Sequence, residues 1–115
     1  MCLRMSEAEK DVKMATGALK RLCKETRMYA KEVETEEARL QKFKDAGEEG
    51  AKIRQQETVV QETRIMIPDL EKKVKAALAK LNKVLEETDA EVDEVSEEIM
   101  EAAKEAVSDA NTLVG

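Results

Sequence analysis

Apolar residues recur along most of this chain at alternating steps of three and four positions. Between residues 12 and 43, eight of the ten positions in such a series are apolar. The ten are Val12, Ala15, Leu19, Leu22, Thr26, Tyr29, Val33, Glu36, Leu40 and Phe43. This alternation places all of them on one narrow face of an α-helix, here called a seam, which must pack against another helix. The pattern therefore predicts an all-α fold of long helices.

Two further seams follow. The second has the same steps and comprises Ile53, Gln56, Val60, Thr63, Ile67, Leu70, Val74, Ala77, Leu81 and Val84. The third is shorter and comprises Val92, Val95, Ile99, Ala102, Ala106 and Leu113, with Asp109 where an apolar residue is expected. We therefore expect three helices, at about residues 7–46, 51–86 and 89–112, of which the third packs most weakly.

Local signals mark the ends of these helices. Ser6 and Glu9 form a capping-box pattern before the first helix, and Thr88 and Glu91 form another before the third. Gly47 supplies the left-handed C-cap conformation after the first helix. Only residues 47–50 separate the first two predicted helices, and a turn this short makes them antiparallel neighbours. The prediction is an elongated, left-handed, antiparallel three-helix bundle, coiled-coil-like with a shorter third helix, formed by residues 1–115 as one domain.

Composition supports a thin core and a cytoplasmic location. The chain is 40% charged and contains one Phe, one Tyr and no Trp, so the core should consist of aliphatic side chains. Two cysteines are too few and too far apart for a disulfide framework, and Cys23, on an apolar helical stripe, is expected to be a small buried thiol. The first six residues lack an apolar signal-peptide region, and no stretch approaches the roughly 20 apolar residues of a membrane span.

Charge and residue types argue against several functions. The net charge is −6, and residues 88–115 contain nine acidic residues against Lys104 alone, which disfavours nucleic acid as a partner. A membrane-surface helix would need a basic polar face and aromatic residues. The chain has no His, no phosphate-binding loop and no metal-ligand spacing. We therefore predict no catalytic, cofactor or metal site, and no enzymatic activity.

Pro68 and Gly17 are unexpected in long helices. Pro68 removes a helical hydrogen bond and should kink the second helix just after three consecutive apolar residues, Ile65, Met66 and Ile67. Either the helix bends around its core and the extra apolar groups face the third helix, or they form an exposed patch that a partner covers. Gly17 costs a helix about 1 kcal/mol relative to Ala, and its predicted role is to let another helix or a partner approach closely.

Three stretches of the sequence resemble the tubulin-binding cofactor A family. The first is "TGALKRLCKE" at residues 16–25. The second, Met28-Tyr29-x-Lys31-Glu32, follows closely behind the first, and the third is "QETRIMIPD" at residues 61–69. The first is similar to the family pattern T-G-x-x-K-R-L-x-K-E and the last to Q-E-[ST]-R-x-M-I-P-D. The likeness covers roughly residues 12–86, while residues 1–11 match no family pattern and residues 87–115 share only length and acidic character.

This resemblance implies a three-helix bundle that captures and holds quasi-native β-tubulin on its outer helical surface during tubulin folding. It implies β-tubulin and other tubulin-folding cofactors as partners, no cofactor, no nucleic acid, no membrane, and a cytoplasmic, cytoskeleton-associated monomer or homodimer. Eight matched positions are candidate partner-binding residues: Gly17, Lys20, Arg21, Lys24, Arg64, Met66, Pro68 and Asp69. Leu19, Leu22, Tyr29 and Ile67 match too, but they lie on the seams and are expected in the core.

Several of these residues have a second interpretation. Lys20, Arg21 and Lys24 are either a basic face for an acidic partner or a solvated face paired with nearby Glu. Asp69 either recognises a partner or caps a helix turn that restarts after Pro68. Apart from the resemblance, the sequence supports only an acidic helical bundle, and the alternative function is a generic coiled-coil scaffold or interaction module.

Overall fold

A computed structural model describes residues 6–88 and 95–114 of the chain. These residues form three α-helices: α1 is Glu7–Asp45, α2 is Gly50–Glu87 and α3 is Glu97–Val114. The all-α fold class is confirmed, and α1 and α2 begin and end within one residue of the predicted positions. The single domain, the left-handed sense and the antiparallel order stay predictions. No helix in the described part is long and apolar enough to cross a membrane.

Ser6 caps α1 as predicted. Its Oγ accepts a hydrogen bond from the backbone N–H of Glu9 at 3.1 Å, which satisfies one of the unpaired donors at the start of the helix. The reciprocal half of the capping box does not form, because the Glu9 carboxylate accepts from the backbone N–H of Ser96 at 3.2 Å instead. Glu9 thus links the first turn of α1 to the residue that precedes α3.

The start of α3 differs from the prediction. The helix begins at Glu97, and Ser96 is its cap: Ser96 Oγ accepts from the backbone N–H of Ile99 at 3.3 Å. The predicted capping box at Thr88 extends into residues 89–94, which lie outside the described residues, as does Val92 of the third seam. Ser96 was missed because no Glu or Gln stands three positions after it.

The turn between α1 and α2 follows the prediction. Gly47 has φ +66°, the left-handed conformation that glycine adopts at low cost. The N–H of Glu48 donates to the carbonyl of Phe43 at 3.0 Å, and the N–H of Gly47 donates to the carbonyl of Lys44 at 3.1 Å. These two bonds are the Schellman motif, which satisfies the last carbonyls of α1.

The chain divides into two compact units. The first contains residues 6–23, 72–88 and 95–114 of the described chain, and all three helices contribute to its core. The buried residues clustered in this core are Val12, Ala15, Leu19, Cys23, Val74, Leu81, Ala103, Ala106 and Ala110. Val95, just before α3, is buried as well, as the third seam predicts. The predicted burial of the Cys23 thiol is confirmed, and this core consists of aliphatic side chains and that thiol.

The buried face of α3 differs from the predicted third seam by one position at two places. Ala103 and Ala110 are fully buried, whereas Ala102 is half-buried and Asp109 is exposed. Burying a carboxylate is costly, so α3 turns its alanines inward and leaves Asp109 at the surface. Two adjacent alanines made the register ambiguous from the sequence.

The second unit, residues 24–71, contains four polar seam positions, and two of them, Glu36 and Gln56, meet. The Gln56 side-chain amide donates to the Glu36 carboxylate at 2.6 Å and to the Glu36 backbone carbonyl at 2.9 Å. Both residues are buried, and Arg39 donates to the same carboxylate at 3.2 Å. A buried polar pair of this kind specifies how two helices align, because a shifted alignment would leave each group without a partner.

We predict that Gln56→Leu lowers the free energy of unfolding by about 2 kcal/mol, since the buried Glu36 carboxylate loses its closest donor. The double variant Glu36→Leu/Gln56→Leu should recover that loss, because a well-packed apolar pair can replace a buried polar one. Urea titrations followed by circular dichroism measure both. The control Gln55→Leu, at an exposed neighbouring position, should shift stability by less than about 0.5 kcal/mol. Equal losses in the single and double variants would contradict the coupling.

Candidate functional site

The exposed helix faces, rather than an enclosed pocket, carry the candidate site. In the described part of the chain, no three His, Cys, Asp or Glu side chains come together in a metal-binding arrangement. The hollows in the surface are open to solvent, and their linings combine exposed side chains with a few buried residues such as Ala15 and Thr16. Such a surface can recognise another macromolecule, but it does not enclose a small substrate.

In the first unit, one face of α1 carries four cationic side chains. Lys10, Lys13, Lys20 and Arg21 are exposed and lie at helical spacing around Gly17, at −7, −4, +3 and +4 positions. We call this set the α1 cationic face. Lys24, two turns after Gly17 in the same helix, is also exposed and is the first residue of the second unit.

Most of these cations have no acidic partner. Among the residues that the structure describes, Lys13, Lys20, Arg21 and Lys24 have no carboxylate oxygen within 4.0 Å, and only Lys10 makes an ion pair, with Glu7 at 3.9 Å. The predicted pairing of Lys20, Arg21 and Lys24 with nearby Glu is therefore not seen among the described residues, and the choice between a solvated face and a face for an acidic partner stays a prediction. Their positive charge faces solvent.

Gly17 is half-buried and leaves open space on the helix. A Cβ built at this position meets no atom within 4 Å, so no other helix of the described chain approaches it closely. That half of the prediction for Gly17 is wrong, and close approach by a partner stays a prediction. Gly17 also lines a hollow of about 480 Å³ with Lys10, Lys13, Met14 and Arg21.

Thr16, next to Gly17, carries a second unfavourable feature. The residue is 5% exposed, and its Oγ1 has no hydrogen-bond partner among the residues that the structure describes. A buried hydroxyl without a partner costs about 1–3 kcal/mol. Thr16 and Gly17 line a hollow of about 500 Å³ with Lys13 and Lys20, and with Ser96, Glu98, Ile99 and Ala102 from the α3 side.

Met14 is a surface residue that the sequence analysis did not single out. It is 74% exposed and lies three positions before Gly17, on the same face of α1. A second hollow of about 430 Å³ lies beside it, towards Lys80 and Val84 of α2. In the sequence, the spacing of three residues between Met14 and Gly17 already indicated that both lie on one face of a helix. Periodicity alone, however, does not distinguish an exposed Met from one covered by a neighbouring helix.

The remaining candidates, all on α2, lie in the second unit. Arg64 donates to Glu37 of α1 in an exposed ion pair, so its guanidinium already has a partner within the chain. Ile65 is 65% exposed and Met66 38% exposed, and Pro68 and Asp69 are exposed as well. The exposure that one of the two alternatives expects for Ile65 and Met66 is therefore confirmed, whereas coverage of this patch by a partner stays a prediction.

The helix α2 runs through Pro68 without interruption. Asp69 therefore does not cap a restarted helix, and that alternative is wrong. Of the matched residues expected in the core, Leu19 is fully buried, whereas Leu22, Tyr29 and Ile67 are half-buried. The kink at Pro68 stays a prediction.

Comparison with known proteins places these features in one family. A family model described as tubulin binding cofactor A matches residues 7–107. Tubulin-folding cofactor A of Arabidopsis thaliana is 41% identical over 100 residues, which is 87% of this chain and 88% of that protein. Tubulin-specific chaperone A of Rattus norvegicus is 39% identical over 77 residues, 67% of this chain and 71% of that protein.

Solved structures agree with the sequence matches. The crystal structure of tubulin folding cofactor A from Arabidopsis thaliana has a TM-score of 0.82 at 36% identity, over 91% of this chain and 96% of that one. The crystal structure of tubulin-binding cofactor A from Leishmania major has a TM-score of 0.79 at 27% identity, over 95% and 98% of the two chains. The resemblance inferred from the sequence is confirmed.

We predict that Gly17→Ala raises the free energy of unfolding by about 0.5–1 kcal/mol, because the new methyl group meets nothing and Ala favours the helix. Gly47→Ala is the matched control: its Cβ is equally unobstructed, but φ is +66°, so the same change should be destabilising. Thermal and urea unfolding measure both. A destabilised Gly17→Ala variant would mean that the space beside Gly17 is occupied.

Proposed function

The chain belongs to the tubulin-binding cofactor A family, and from that premise we propose that it is a tubulin-folding chaperone that captures quasi-native β-tubulin on its outer helical surface. In this role it holds β-tubulin in the cytoplasm and passes it to other tubulin-folding cofactors. The observation that carries the proposal is the group of exposed cations Lys20, Arg21 and Lys24, which have no acidic partner among the described residues and lie within a family-matched motif.

Electrostatic attraction supports the choice of client. Tubulin is strongly acidic, and a cationic helix face accelerates encounter with an acidic partner and orients it. The binding energy of such contacts is modest when they remain exposed to water. A charged face of this kind suits a chaperone that must release its client as well as bind it.

The second proposed contact is the exposed apolar pair Ile65 and Met66, with Pro68 and Asp69 beside it. Exposed apolar side chains next to each other favour a macromolecular contact. A quasi-native protein still exposes apolar surface that its own partners would later cover. Contact with Ile65 and Met66 would shield such surface from aggregation without the need for an enclosed pocket.

The alternative function is a generic coiled-coil scaffold. The 3,4 seams favour it, because similar seams build dimeric rods. The two functions differ in what the chain binds: the chaperone forms a complex with β-tubulin, whereas the scaffold associates with copies of itself. Whether the free chain is a monomer or a homodimer stays a prediction.

We predict that the chain co-elutes with released β-tubulin in gel filtration and that Lys20→Glu/Arg21→Glu/Lys24→Glu lowers the affinity by about tenfold or more, because three attractive contacts become repulsive. The loss should shrink at high salt. The matched control is Lys72→Glu/Lys75→Glu/Lys83→Glu, which changes the net charge equally at exposed positions of α2 and should retain binding.

The outcomes separate the alternatives. Equal losses in both triple variants would attribute binding to net charge and remove the cationic group as the site. No co-elution of the unaltered chain, which instead elutes as a defined dimer or larger assembly, would overturn the chaperone proposal and favour the scaffold.

We also predict that Ile65→Ser/Met66→Ser weakens β-tubulin binding several-fold while the free energy of unfolding changes by less than about 0.5 kcal/mol for each residue, because both side chains are exposed. Binding is measured by titration and stability by urea unfolding. Met28→Ser removes a comparably exposed apolar side chain from α1 and serves as the control. Unchanged binding in the double variant would exclude this patch as a contact.

A further inference from the structure

Two consecutive residues of α1, Thr16 and Gly17, each lower the stability of the free chain. Within the described part of the chain, the Thr16 hydroxyl is buried without a hydrogen-bond partner, and a Cβ at Gly17, in the interior of a helix, would meet no atom within 4 Å. Local rules for a stable structure are broken mainly at functional positions, where another requirement outweighs stability. No contact within the described chain requires a glycine at position 17.

The surroundings of Gly17 indicate what approaches it. Lys13 lies one helical turn before Gly17, and Lys20 and Arg21 lie one turn after it, all on the same face. These three cations have no acidic partner among the described residues, although Glu98 lies in the lining of the adjacent hollow. A partner that contacts α1 at Gly17 therefore meets positive charge on both sides.

The spacing of these cations matches the side chains of an α-helix. Lys13 lies about two turns from Lys20 and Arg21 on α1, so a helix with carboxylates two turns apart on one face can pair with the cations on both sides of Gly17. The distance between two packed helices depends on the side chains at their contact, and a glycine there allows the closest approach. The exposed Met14 adds an apolar surface next to Gly17.

We propose that Gly17 is the point at which an acidic α-helix of the client packs against α1, with its carboxylates paired to Lys13, Lys20 and Arg21 and an apolar side chain against Met14. This inference rests on the proposed function and specifies the element of the client that is recognised. It extends the surface by Lys13 and Met14, which the family-matched motif does not include. Gly17 provides the close approach, and the cations select for negative charge.

The test uses the full chain and a fluorescein-labelled Ala-rich helical peptide with Glu residues one turn apart on one face. The control peptide has Gln in place of each Glu. In fluorescence anisotropy at low salt, the Glu peptide should bind at least tenfold more tightly than the Gln peptide, and its affinity should fall as salt is raised. Equal binding of the two peptides would overturn the proposal, as would tighter binding of single-stranded RNA than of the Glu peptide.

Matched variants locate the contact. Gly17→Leu places a side chain where the client helix would pack and should lower peptide affinity at least tenfold, whereas Ala79→Leu, at an exposed position of α2, should leave it within twofold. Lys13→Glu should weaken binding about tenfold, and Lys75→Glu, with the same change in net charge, should not. Unaltered binding in Gly17→Leu, with circular dichroism showing an intact fold, would overturn the proposal.

A competition experiment separates this inference from the proposed function. The Glu peptide should displace β-tubulin from the unaltered chain. If β-tubulin binds but the peptide neither binds nor competes, the inference fails and the chaperone function stands. If the peptide binds with the expected variant pattern but β-tubulin does not bind at all, the proposed client is wrong and Gly17 remains a docking point for another acidic helix.

Discussion

Each helix of this protein can bury only one narrow face, and the rest of the structure depends on that limit. The core of the first unit consists of valines, leucines, alanines and one cysteine, so it stays thin and excludes no more than one face of each helix from water. The remaining faces contribute little to stability and are free to vary. Binding residues can therefore occupy the outside of α1 and α2 without disturbing the packing that holds the helices together.

Polar residues in the buried faces serve alignment more than stability. Apolar seams of similar side chains can slide past one another with little loss, whereas the hydrogen bonds between Gln56 and Glu36 form in one alignment only. That alignment also brings Arg64 opposite Glu37. The exposed apolar pair Ile65 and Met66 follows Arg64 directly, so its position on the surface depends on the same buried pair.

The local sequence predicted the buried faces through the spacing of apolar residues, and the turn at Gly47 through the backbone preference of glycine. It did not predict what depends on neighbouring helices. The ion pair of Arg64 requires the alignment of α1 and α2, and the start of α3 at Glu97 depends on a Ser96 cap without the usual Glu. The choice between Ala102 and Ala103, and the exposure of Met14, required the packed structure for the same reason.

Segments that lie before residue 24 and after residue 71 build one unit, and this has a consequence for synthesis on the ribosome. Residues 24–71 are contiguous and can pack as soon as both helix segments have emerged. The core around Leu19 must wait for α3, and the hydrogen bond from Ser96 to Glu9 joins residues 87 positions apart. Long-range contacts of this kind form late because the chain must close a large loop. The core around Val12, Ala15 and Leu19 of the nascent chain therefore stays incomplete until α3 has been synthesised.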